Sequence, residues 1–297
     1  MRDSPSYEEF MELAYKVREL LRRERSRGGV GKYLSLGSLV KIKDDIDRLV
    51  VIGDIHGDYD GLTKILLKAG LKNHFPDNTV LVFLGDYIDR GVKSPHVVYE
   101  VFKLKLQHSD FVVLLRGNHE GPPELPVYPH DFPIHLNYIY LERWKELYES
   151  IVNCFNNFYA CAFLEGSLFM VHGGPPTKFT RLEDLIRAHE DISTIEELLW
   201  NDPMEHKGKI PSPRGAGYLF GPDVTDYFLK TIGAKVIVRS HEPCDEGYEV
   251  HHGGKLITIF SRKGYPYHNS NAAYLDIHKP SLIENAFQLA RECVRVF

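Results

Sequence analysis

Cysteine is scarce in this chain and poorly spaced for joint work. Four of the 297 residues are cysteines (Cys154, Cys161, Cys244 and Cys293), and no two form a C-x-x-C pair. That pattern excludes a disulfide framework and a zinc ribbon, and it fits a reducing, cytoplasmic setting. Long apolar runs are missing as well. No stretch reaches about 18 apolar residues, so no membrane-spanning helix is expected. The start of the chain is charged from Arg2 onward and lacks an apolar signal region. Positive charge is in slight deficit, with 36 Lys and Arg against 41 Asp and Glu. A nucleic-acid partner, which calls for a basic surface, is not expected. "GGVGK" at 28–32 falls short of a phosphate loop, because the position that should hold its first glycine is Ser26. Internal repeats and low-complexity linkers are absent too, which favours a single domain over residues 1–297.

What is abundant is histidine, at fifteen residues, and a recurring local pattern. Tyr7, Phe10, Met11, Ala14, Val17 and Leu21 repeat at helical spacing behind Ser6, predicting an N-terminal helix over 6–26. Beyond residue 48, short apolar runs end abruptly in polar clusters: "LVVIGDIHG", "TVLVFLGDYIDRG", "DFVVLLRGNHE", "SLFMVHGG" and "KVIVRSHE". Each run of 4–6 residues fits a buried strand. Helical patterns at 59–69 and 94–107 separate the early ones, so the fold class is α/β, with a core over 48–276. Residues 121–136 are proline-rich and should be irregular. A single helix is expected at 137–158, a long surface loop at 203–217, and a second sheet from "KLITIFS" and "AAYLDI". A helix-like stretch runs to Phe297, with no long regulatory tail expected. Trp144 and Trp200 are read as core residues.

In α/β folds the loops at the carboxyl ends of strands build the active site. Those loops here carry Asp54, His56, Asp86, Asp89, Arg90, Asn118, His119, His172 and His241. Three Asp, one Asn and four His form a mixed oxygen and nitrogen set suited to divalent Mn, Fe or Zn. They outnumber the needs of one four- or five-coordinate ion, which points to two metals sharing a carboxylate. Two such cations activate a water for attack on phosphorus, so no Ser or Cys nucleophile is needed.

"GDIHG", "GDYIDRG", "RGNHE", "HGG" and the later "VRSHE" resemble the signature of the phosphoprotein phosphatase (PPP) family, the type 1/2A/2B-like serine/threonine phosphatases within the calcineurin-like metallophosphoesterases. "LLWNDP" (198–203), Arg214 and Tyr265 resemble the protein phosphatase branch. The resemblance implies a central β-sandwich of mixed sheets flanked by helices, with the metal site at the strand C-terminal ends. It implies a phosphomonoesterase acting on phosphorylated proteins by direct hydroxide attack; regulatory subunits stay unassigned. Asp54, His56 and Asp86 would hold one metal; Asp86, Asn118, His172 and His241 would hold the other. His119 would be the general acid, oriented by Asp89. Arg90 and Arg214 would bind the phosphate, with Asn118 and Tyr265. A dinucleoside polyphosphate hydrolase on the same scaffold is the alternative activity. A non-catalytic binding scaffold is disfavoured, because all eight metal and acid positions are filled.

The chain departs from that family in two places. "FSRKGYPY" (260–267) keeps Tyr265 but places Arg262 and Lys263 where the family pattern differs, which is expected to be a solvated basic turn or a contact for acidic substrates. "GPPELPVYPHDFP" replaces the segment after "GNHE". His130 and His135 within it are expected at the surface, and His251-His252 in a turn between strands. Arg116 and Glu120 are expected to orient their loop by pairing.

Overall fold

Strands apolar at every position need cover on both faces, and this fold supplies it. The computed structural model describes residues 4–72, 74–178 and 181–297. Helix α1 (Tyr7–Arg27) precedes strands β1 (Gly29–Val30), β2 (Tyr33–Leu36), β3 (Leu39–Ile42) and β4 (Arg48–Ile52). Then α2 (Tyr59–Lys68), β5 (Thr79–Phe83), α3 (Ser94–Gln107) and β6 (Val112–Leu114) alternate. Helices α4 (Phe132–Tyr140) and α5 (Trp144–Phe155) lead to β7 (Cys161–Leu164) and β8 (Leu168–Val171). After α6 (Leu182–Ile186) and α7 (Ile192–Trp200) come the short β9 (Asp202–Pro203), β10 (Lys209–Pro211) and β11 (Tyr218–Phe220). The chain closes through α8 (Pro222–Ile232), β12 (Val236–Arg239), β13 (Tyr248–His251), β14 (Leu256–Ile259), β15 (Ala273–His278) and β16 (Val294–Val296).

Two mixed sheets result, in the orders β1-β2-β3-β7-β8-β12-β14-β13 and β16-β15-β4-β5-β6. Leu49, Val51, Val80, Val82 and Val113 face Leu168, Met170, Val236, Val238 and Ile257 in one core between the sheets. Their neighbours Val50, Ile52, Leu81, Phe83 and Leu114 point the other way, into a core beneath α1, α2, α3 and α5. Phe169, Val171, Ile237 and Leu256 do the same under α7 and α8. The period of two along each strand therefore serves two buried faces, which is why no alternation shows in the sequence.

The N-terminal helix forms as its spacing predicts. Ser6 caps it in a capping box with Glu9, and Gly28 ends it in the left-handed conformation at φ 75°. Its buried stripe also carries Glu24, whose carboxylate lies 2.6 Å from the Lys105 ammonium, both fully buried. Lys105 also donates to the Tyr33 hydroxyl at 2.6 Å and the Val112 carbonyl at 2.8 Å. This pairing of α1 with α3 was not legible in the sequence, where the two residues lie far apart.

Four expectations are corrected. The helix expected over 137–158 is two, divided by the turn Leu141–Arg143, where Leu141 sits at φ 51°; the earlier one starts at Phe132, inside the stretch expected to be irregular. Residues 203–217 are not simply a loop, because β9, β10 and β11 pair into a small sheet. "KLITIFS" and "AAYLDI" do not share a sheet: β14 pairs with β12, and β15 lies antiparallel to β4. Apolar runs look alike whichever sheet takes them, so pairing was not readable from pattern. Trp200 is buried, but Trp144 is only partly so. No helix among the described residues is long and apolar enough to cross a membrane.

Candidate active site

The two sheets bring their carboxyl ends to one place. β4, β5 and β6 are parallel neighbours, as are β8 and β12. The five loops that follow deliver Asp54 and His56, Asp86 through Arg90, Asn118 and His119, His172, and His241. The loops lock by backbone: the Ile55 and His56 amides donate to the Asp86 carbonyl at 3.0 and 2.8 Å. His56, Asp86, Asp89, Arg90 and His241 all have φ between 44° and 72°. Non-glycine residues hold this left-handed region at a cost of about 1–3 kcal/mol each, and only where the surroundings enforce it. Gly85 and Gly117 permit the crossing: a Cβ on Gly85 would collide with the Gly117 backbone, and one on Gly117 with the Asp86 carboxylate.

The polar atoms converge. His56 Nε2 lies 3.2 Å from Asp86 Oδ2 and 3.5 Å from Asp54 Oδ2. Its other nitrogen is 2.7 Å from the Ile88 carbonyl and must donate there, leaving the Nε2 lone pair pointed inward. His172 Nε2 is 3.0 Å from Asn118 Oδ1, 3.1 Å from His241 Nδ1 and 3.5 Å from Asp86 Oδ1. Lone pairs facing each other at such separations need a shared positive charge. Ligands bound at about 2.0–2.2 Å to one ion stand roughly 3 Å apart at a right angle, so the spacing suits a cation. Asp54 Oδ2 is buried without a hydrogen-bond partner among the described residues, as expected of a ligand. Two groups of such donors, His56-Asp86-His119 and Asp86-His172-His241, overlap at Asp86.

Two different supports surround this centre. Glu120, buried, accepts the backbone N–H groups of Asp86 at 2.8 Å, Tyr87 at 2.9 Å, Gly117 at 3.2 Å and Ile88 at 3.3 Å. Burial and the nearby Asp86 push its carboxyl up to about 8. Arg116 does not pair with that carboxylate, correcting the expected ion pair; it donates to the Glu120 carbonyl and to Asn156. On the other side Asp202 joins Arg239 at 2.7 Å and Arg214 at 2.8 Å, with His241 Nε2 at 3.9 Å. Burial pushes His241 down to about 3, keeping it neutral as a metal ligand must be. Ser240 donates to Asp54 Oδ1 at 2.5 Å. Asp202 and Ser240 carried no assigned role in the sequence, although both lie within the quoted "LLWNDP" and "VRSHE".

His119 Nδ1 is 2.6 Å from Asp89 Oδ2, and its Nε2 is 3.5 Å from the Arg90 guanidinium. Arg90 is steadied by the Pro129 carbonyl at 2.9 Å. His130 is not a surface residue as expected: its Nδ1 lies 2.9 Å from the same Asp89 oxygen and its Nε2 2.9 Å from the Tyr148 hydroxyl. The proline-rich segment is thereby tied to the site, where with Asn118 and His119 it lines a cavity of about 210 Å³. Tyr265 is not brought to the cluster; it is 80% exposed, edge-on to His268. The ring there is Tyr267, stacked on His56 at 5.5 Å. Arg262 is not a solvated turn residue: at 6% exposure it donates to the His56 and Tyr265 carbonyls. His251 closes β13 and His252 follows in the turn, the latter bonded to Thr225 and the Met204 carbonyl.

The chain is similar to known proteins in sequence and in fold. The calcineurin-like phosphoesterase family pattern matches residues 47–245. The chain is 37% identical over 227 residues to serine/threonine-protein phosphatase T of Trypanosoma brucei brucei, covering 74% of this chain and 46% of that protein. It is 34% identical over 227 residues to human serine/threonine-protein phosphatase 5, covering 74% and 44% respectively. It therefore spans about half the length of the curated relatives it matches. Among solved structures, a Saccharomyces cerevisiae protein serine/threonine phosphatase superposes with a TM-score of 0.78 at 24% identity, covering 99% of this chain and 90% of that one. Strand-end donors overlapping at one aspartate, and a match running through all five loops that supply them, have one reading: the chain belongs to the calcineurin-like phosphoesterase family.

Proposed function

We propose that this chain is a metal-dependent phosphatase that removes phosphate from serine and threonine side chains of proteins. The observation that carries the reading is the meeting at Asp86 of two donor sets, one of which includes His119, with His119 backed by Asp89 and flanked by Arg90. Asp54, His56 and Asp86 would hold one divalent cation, and Asp86, Asn118, His172 and His241 the other. When bound, such a pair supplies Lewis acidity and an activated water. The nitrogen-rich donor set suits Mn, Fe or Zn.

The chain's own residues do the rest. Arg90 and Arg214 offer guanidinium groups to the phosphate oxygens as charge redistributes; Asp202 holds Arg214 in place. The leaving oxygen of a serine is strongly basic, so a proton must reach it. His119 supplies that proton from Nε2, and Asp89 at Nδ1 stabilises the imidazolium and fixes the ring. Because the metal ligands come from both sheets, we take residues 1–297 to act as one catalytic unit. The names of the relatives, serine/threonine-protein phosphatases T and 5, support phosphoproteins as the substrate class.

Kinetics with the Mn-loaded protein separate this reading from its rival. A phosphoserine peptide should be hydrolysed with a higher kcat/KM than diadenosine tetraphosphate. A hundredfold preference for the nucleotide would overturn the proposal in favour of a dinucleoside polyphosphate hydrolase.

A further inference from the structure

Asp89 is asked to hold one imidazole, yet it holds two. Its Oδ2 lies 2.6 Å from His119 Nδ1 and 2.9 Å from His130 Nδ1, while Oδ1 accepts the Phe132 amide at 2.7 Å. Burial alone would raise the Asp89 carboxyl, but the two histidine hydrogen bonds outweigh it and hold the group well below the usual carboxylate range. An ionised carboxylate only accepts, so both Nδ1 atoms must carry hydrogen. His130 Nε2 faces the Tyr148 hydroxyl at 2.9 Å; in the neutral ring that nitrogen accepts and the tyrosine donates. The orientation is complete with His130 neutral: Tyr148 O–H to His130, His130 N–H to Asp89, Asp89 to His119. The chain crosses four segments, from α5 through the proline-rich segment and the loop after β5 to the loop after β6.

We infer that His130, set by Tyr148, is a positioning residue for the general acid. A carboxylate anchored by the Phe132 amide on one oxygen can still pivot about that bond. A second directional donor on Oδ2 removes the pivot, so Asp89 meets His119 in one geometry and the His119 ring keeps Nε2 toward the leaving oxygen. This also gives the segment 121–131 a role: its turn presents His130 to Asp89, while its Pro129 carbonyl holds Arg90. A histidine that merely filled space would not need both ring nitrogens bonded, and its side chain keeps 29% exposure, so packing is not what holds it.

The inference rests on His119 being the general acid, and its test keeps the two apart. Turnover of a phosphoserine peptide, which needs leaving-group protonation, is measured beside p-nitrophenyl phosphate, which needs little. His119→Asn, run in parallel, should lose far more on the peptide; equal losses there sink the general-acid reading itself. Given that selective loss, His130→Ala should lower kcat on the peptide about tenfold, the low end of what an outer hydrogen-bond partner costs, with KM nearly constant and a smaller effect on p-nitrophenyl phosphate. His130→Asn, which keeps an N–H near the Nδ1 position, should restore most of the rate. Tyr148→Phe should cost roughly twofold to threefold in the same selective way. In proton NMR of the metal-free protein, His130→Ala should shift the downfield N–H resonance of His119. Equal losses on both substrates, no rescue by Asn, or an unmoved resonance would overturn the inference. Should His130→Ala fail to fold, His130→Asn and Tyr148→Phe decide alone: wild-type rates in Tyr148→Phe with a severe loss in His130→Asn would refute it.

Discussion

The centre is held from two sides by opposite means. On the five-stranded side, one carboxylate, Glu120, gathers backbone N–H groups of the Asp86–Ile88 turn and of Gly117. On the eight-stranded side, side chains hold side chains: Arg239 binds Asp202, Glu242 and the Gly173 and Asn201 carbonyls, and Asp202 in turn holds Arg214. The first arrangement stabilises an improbable backbone path, with left-handed residues at Asp86, Asp89 and Arg90. The second positions charge around a strand end with a single left-handed residue, His241. Glu120 therefore sets where ligands sit, whereas Asp202 sets what charge surrounds them. Two loops with the same apparent pattern can thus depend on different physics.

The sharpest way to break the comparison is at the residue both sides share. Asp86→Asn should deplete the copurified metal at both positions and lower phosphopeptide turnover by more than roughly a hundredfold, beyond the usual cost of an outer-shell change. His241→Ala should deplete only one. Metal analysis by mass spectrometry checks this, and full occupancy in Asp86→Asn would refute the bridging role.

A smaller effect is expected from Arg239→Met. It leaves the buried Asp202 carboxylate with Arg214 as its remaining guanidinium partner, so the loss should stay below the cost of about 3–5 kcal/mol for a buried charge left wholly unpaired. Denaturant unfolding measures it. Adding Asp202→Leu should return part of that stability, because removing both charges is far less damaging than removing one. Activity should not return with it, since Arg214 loses its anchor. Equal destabilisation in the single and double variants would mean the network is not an ion-pair system.

The smallest effect concerns Tyr265. Its ring is exposed, so Tyr265→Phe should change kcat/KM by less than about twofold, within the range of an ordinary surface substitution. A tenfold rise in KM would show that the tyrosine swings in on the substrate.

Much of the centre was legible before any fold was known. Short apolar runs ending in Asp, Asn and His named the donor residues, because metals demand particular atoms and buried strands demand apolar ones. Ser6 with Glu9 and the helical spacing of Phe10, Ala14, Val17 and Leu21 marked the first helix, because capping and burial are local requirements. The misses share a cause. His130 lies 41 residues from the Asp89 it holds, and nothing near it in the chain signals that contact. Glu24 and Lys105 meet only because α1 and α3 pack together. Tyr265 and Tyr267 are two residues apart, and only the path of that turn puts Tyr267 on His56. Whether a run such as "KLITIFS" joins one sheet or the other depends on a partner strand it does not encode.

The sequence by itself determined the first helix, the buried strands and the candidate donor residues at their ends, since those follow from capping, periodicity and ligand chemistry acting over a few residues. Only the tertiary structure decided which charges are paired, which histidines meet Asp89 and which tyrosine meets His56. Those outcomes rest on distances of a few ångströms between segments far apart in the chain, and such distances exist only once both sheets have closed around their common core.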